Sequence, residues 1–111
     1  MGKWAVFAQY GSGESYRTEF VARVTGTRED ARAAMRDATL TCRAPMREKW
    51  REVYRLPGGD SYLVIVKGAA SLNEVTLTIA EMVYDSADPA VAAAADPDFP
   101  AHADAEDTGS V

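Results

Sequence analysis

Between Thr27 and Cys42 the apolar residues recur at helical spacing, with Ala31, Ala34, Met35, Ala38 and Cys42 falling on one stripe, whereas the other patterned runs of the chain alternate with a period of two. One helix beside several strands restricts the fold sharply. Runs of strands accompanied by a single helix imply an α+β domain, a mostly antiparallel sheet with the helix packed on one face. A helix covers only one face, so the other needs a different cover.

The helix has a readable start. Thr27-Arg28-Glu29-Asp30 places a hydroxyl three residues before an acid, a capping box with Asp in place of the preferred Glu, and both acids fall in the first turn, where the helix dipole favours them. The stripe is mostly alanine, which allows close approach to a sheet, and Pro45 ends the helical run.

Residues 3–9 are apolar on both alternating faces, Trp4, Val6 and Ala8 on one and Ala5 and Phe7 on the other, as expected of a central strand. Tyr10-Gly11-Ser12-Gly13 reads as a turn. Residues 15–25 alternate with Tyr16, Phe20, Ala22 and Val24 on one side and Arg17, Glu19, Val21 and Arg23 on the other, a strand wetted on one face. Residues 49–56 and 61–67 flank Pro57-Gly58-Gly59-Asp60, whose glycines permit positive φ, and this is the strongest hairpin signal in the chain. A last strand spans 74–84. The expected order is β-β-α-β-β-β, five strands and one helix, within a domain of residues 1–84.

Charge divides the chain at the same place. All 12 basic residues lie in 1–84 beside ten acids, while 85–111 carries seven acids and no Lys or Arg. In that segment Val91, Phe99 and Val111 are the larger apolar groups, too few to offset the entropy of ordering it, so an acidic disordered tail is expected. Asp88-Pro89 could start a short helix over 89–95, marginal unless it docks.

Few residues suggest catalysis. His102, the one histidine, falls in the expected tail, where no fixed geometry holds it against a nucleophile. Cys42 continues the helix stripe and reads as a buried, inert thiol. The domain has no His, Cys or carboxylate cluster at metal-ligand spacing, and Gly11-x-Gly13 lacks the third glycine and following helix of a phosphate loop. No cofactor, metal site or catalytic residue is expected, although a metal-independent nuclease resting on Arg and Tyr stays open. The N-terminal apolar run is too short for a signal peptide or a membrane span, and Val6 stands where a myristoylation motif wants Ser or Thr. A cytoplasmic protein without membrane contact is expected.

Two interaction surfaces compete. Arg28, Arg32 and Arg36 recur every four residues on the helix, and Arg43, Arg47, Lys49, Arg51 and Arg55 follow with Trp50 and Tyr54 among them. That basic region, the seven arginines above all, is the candidate nucleic-acid contact. Five acids in the same stretch and a pI near 4.8 point instead to a solvated, salt-bridged face. The second surface is the sheet face that the helix leaves bare, with Val21 and Val53 as candidate partner contacts. The reading that follows is a small non-enzymatic protein-binding or regulatory module, self-associating through that face, with nucleic-acid binding as the alternative.

Overall fold

The computed structural model describes residues 2–10 and 17–88. The described chain runs β1 (Gly2–Tyr10), β2 (Arg17–Gly26), α1 (Arg28–Thr39), β3 (Trp50–Arg55), β4 (Ser61–Lys67) and β5 (Leu72–Glu81). The five strands form one sheet in the order β2-β1-β5-β4-β3, antiparallel at every junction. This is the expected α+β class and element order. The turn read at 10–13 and the short helix at 89–95 lie at least partly outside the described residues.

The strand order explains the place of the helix. Because β2 and β3 occupy opposite edges, the chain between them must cross the sheet, and α1 with the segment 40–49 makes that crossing over one face. Val6, Ala8, Val64, Val66, Val75, Leu77 and Ile79 of the sheet and Ala31, Met35 and Ala38 of α1 form the buried core. Strand pairing puts these sheet residues on one side, since Val6 faces Ile79, Ala8 faces Leu77 and Val64 faces Val75. The helical stripe read from the sequence is therefore the buried stripe, with Ala34 and Cys42 partly buried against it and Ala33 exposed.

Local chemistry holds α1 at both ends. The Asp30 amide donates to Thr27 Oγ1 at 3.1 Å and the Thr27 amide to Asp30 Oδ2 at 2.9 Å, completing the capping box. Gly26 fits here because a Cβ at that position would run into the Asp30 carboxylate. The hairpin turn also follows the sequence: Gly58 and Gly59 take φ of +94° and +77°, and Leu56 N donates to Ser61 O at 3.0 Å.

One strand departs from its expected alternation. Val6 pairs with Ala22 but Phe7 pairs with Phe20, which leaves Val21 as a bulge. The side chains beyond it change sides. Ala22 and Val24 face the helix as expected, while Phe20 joins Phe7 on the opposite face and Glu19 turns to the helix side, where Tyr10 donates to its carboxylate at 2.9 Å. Tyr16, expected beside Phe20, lies outside the described residues.

Candidate interaction face

The sheet face opposite α1 is built by the alternate residues of all five strands. Register aligns Phe20 with Phe7, Arg23 with Ala5 and Ala80, Leu63 with Tyr54, and Ile65 with Glu52 and Glu74. Five strands at about 4.8 Å and some seven residues at about 3.3 Å make a platform of about 20 by 20 Å. Its large apolar groups remain accessible: Phe20 is 62% exposed, Tyr54 49% and Trp50 45%. Phe20 lies on edge strand β2 and Trp50 and Tyr54 on the opposite edge β3, with Thr76 and Thr78 of β5 between them, so the face carries an apolar patch toward each edge, Phe20 with Phe7 and Tyr54 with Leu63.

Over β2, β1 and β5 the platform deepens into a groove of about 640 Å³. Ala5, Phe7, Phe20 and Ala80 form its apolar lining, and Lys3 and Arg23 bring positive charge to it. The Arg23 guanidinium lies over the Phe20 ring at 4.6 Å, so its charge is held against the aromatic surface. The opposite corner of the face carries Glu52 and Glu74, with Lys67 in the next row. The face thus has one corner where Arg23 and Lys3 stand beside Glu81, with Lys3 also paired to Asp88 at 3.7 Å, and one that is mostly acidic.

Neither valine singled out in the sequence lies within this platform. Val53 pairs with Val64, a core residue, and so sits on the helix side of edge strand β3; Val21 is the bulge on the other edge. Both are partly exposed, at 37% and 40%, but four strand spacings separate them, so the sheet does not bring them together. Val53 is on that side because it lies three residues from Trp50 and one from Glu52, odd steps that turn it away from their open face. Phe7, Leu63 and Ile65 were readable as the second apolar face of their strands, whereas Phe20 was hidden by the bulge.

The seven arginines separate into committed and free groups. Arg51 is the most committed: its side chain is 8% exposed, and it donates to Thr39 O at 3.0 Å, to Cys42 O at 2.8 Å and to Glu48 at 2.8 Å. Arg32 binds Asp60 at 2.7 Å and Gly58 O at 3.1 Å, pinning α1 to the hairpin turn, with Arg28 at 3.9 Å from the same carboxylate. Arg36 pairs with Glu29 at 3.1 Å, and Arg43 stacks over Tyr10 at 4.3 Å. Arg47 and Arg55 are exposed and make no ion pair among the described residues.

Cys42 is half-buried beside Arg51, and burial pushes its thiol above the usual range despite the nearby guanidinium. A raised thiol pKa suits a packing role better than a nucleophile. Among the described residues no group of three or more His, Cys, Asp or Glu stands where a metal ion could be held, and no helix is long and apolar enough to cross a membrane. The chain matches no protein-family model, and neither a curated protein nor a solved structure is significantly similar to it.

Proposed function

We propose that this chain is a small protein-binding module without catalytic chemistry of its own, and that it pairs with a second copy of itself through the open sheet face. The observation that supports this reading is the accessible apolar platform around Phe7 and Phe20, left bare because the single helix occupies the other face. A second copy suits it on two physical grounds. An isologous contact needs a self-complementary surface, and a two-fold axis across the diagonal of the platform lays the Arg23 and Lys3 corner of one copy on the Glu52 and Glu74 corner of the other. The platform is also close to the scale of a standard interface, about 800 Å² per partner once side-chain relief is included.

The basic region gives weaker support to nucleic-acid binding. Arg51 and Arg32 are held by internal carbonyls and carboxylates, and Arg28 and Arg36 each have an acid beside them. Sedimentation over a range of protein concentrations tests the proposal. The expected result is a dimer that resists added salt and is lost in Phe20→Glu, a change at an exposed site that leaves a cooperatively folded monomer. A monomer up to about millimolar concentration would overturn it. In parallel, complex formation with a mixed oligonucleotide pool near 50 mM salt would favour the basic region instead.

A further inference from the structure

The chain leaves the sheet beside the groove. Met82, which follows β5, donates its amide to Lys3 O at 2.8 Å and lines the groove, and Asp88 lies 3.7 Å from the Lys3 ammonium. Residues 89–111, which follow, lie outside the described residues and carry five acids, no Lys or Arg, and the larger apolar side chains Val91, Phe99 and Val111. Their path therefore begins at a groove with an apolar lining and two cations. From Asp88 to Phe99 is eleven residues, an extended reach of up to about 36 Å, longer than the platform is wide.

We infer that this C-terminal segment docks in cis in the groove over β2, β1 and β5, with Phe99 against Phe7, Phe20 and Ala80 and with Asp96 and Asp98 facing Arg23 and Lys3. Glu81, also in the lining, opposes the acids, so the apolar anchor is what holds the segment and the charges set its direction. The inference rests on the self-association reading for its consequence: the segment offers Arg23 and Lys3 the same negative charge that Glu52 and Glu74 of a second copy would offer. Tethering supplies an effective concentration in the millimolar range, so a weak contact is enough to compete. If the segment covers the groove about 90% of the time, association weakens about tenfold for each protomer that must open.

The test uses the full chain with Cys42→Ala and Ala101→Cys, nitroxide-labelled at the new thiol and observed by amide NMR at low protein concentration. Signals of Ala5, Phe7, Phe20 and Ala80 should broaden, those of Ala33 and Arg36 on α1 should not, and Phe99→Ser should abolish the effect. Broadening centred on Arg47 and Arg55, uniform broadening, or none would overturn the docking. Sedimentation of the unlabelled full chain and of its Phe99→Ser variant separates this from the dimer reading. A tighter dimer in Phe99→Ser supports competition. An unchanged dimer removes competition. A chain that broadens at the groove yet stays monomeric retains the docking and removes only the dimer.

Discussion

The guanidinium of Arg51 on β3 donates to the carbonyl oxygen of Cys42 at 2.8 Å and joins the end of α1 to the far edge of the sheet. The last carbonyls of a helix have no partner within the helix, and here the same nitrogen also reaches Thr39 O at 3.0 Å. Arg51 occupies a helix-side position of an edge strand, where a charge is tolerated because Glu48 and two carbonyls surround it.

Truncating Arg51 to Ala should lower stability by about 2–4 kcal/mol, because it leaves the Thr39 and Cys42 carbonyls without their donor. Arg51→Lys should recover less than half of that, since a single ammonium cannot reproduce the fork. Urea unfolding of the three proteins measures this. An unchanged midpoint in Arg51→Ala would show that α1 does not depend on this tie.

Two pH effects follow from the same cluster. The hydrogen bond from Arg51 holds the Glu48 carboxyl below its ordinary range, so its contribution is present above the ordinary carboxylate value and is lost as pH falls through the lowered one; being exposed, Glu48 contributes little. Burial raises the Cys42 thiol, so the folded state favours the neutral form. That contribution is full below the ordinary thiol pKa of about 8.5 and is lost as pH rises through the raised value. Native protein should therefore react with a thiol reagent more slowly than a free cysteine at pH 8, and Cys42→Ala should flatten the fall in stability on the alkaline side. Reaction at the free-thiol rate would contradict the burial.

The helix stripe gives a sharper contrast. Ala38 is 8% exposed and packs in the core, while Ala33, five residues earlier, is exposed. Ala38→Arg forces a long unpaired cation into packed space and should cost more than about 3 kcal/mol, whereas Ala33→Arg should stay within about 0.5 kcal/mol. Ala34→Arg, at a partly buried position, should fall between them. Thermal melts of the three variants decide the face, and equal melting points would refute it.

The elements legible in the sequence were those whose cause is local. Thr27 and Asp30 are three residues apart, Gly58 and Gly59 shape a turn by their own φ, and the stripe from Ala31 to Cys42 repeats within one segment. What was not legible depends on distant partners. No local pattern tells that Arg51 reaches back to Thr39, or that Asp60 gathers Arg32 and Arg28, because those pairs form only after α1 crosses the sheet. The face of Phe20 was hidden for a related reason: strict alternation assumes an unbroken register, and a bulge leaves no fixed residue signature.

Deletion of Val21 tests that bulge directly. Val21 is the residue of β2 that lacks a Cα partner in β1, between the pairs Val6 with Ala22 and Phe7 with Phe20. Removing it makes Phe20 and Ala22 consecutive, and consecutive strand residues point to opposite faces, so Phe20 should stay across from Phe7 and Ala22 should stay under α1. Stability should change by no more than about 1 kcal/mol, a surface-scale effect. Deleting Ala5 instead should unfold the protein, because β1 pairs on both sides and every residue beyond the gap would change face. The shortened β2 would also lose the irregularity that protects an edge strand, so the Val21 deletion should aggregate at lower concentration than the intact chain. Cross-strand NOEs between the Phe7 and Phe20 rings, read beside a urea melt, measure both parts. Loss of those NOEs in an otherwise folded protein would mean that the bulge, and not the pairing of the two phenylalanines, sets the face on which Phe20 lies.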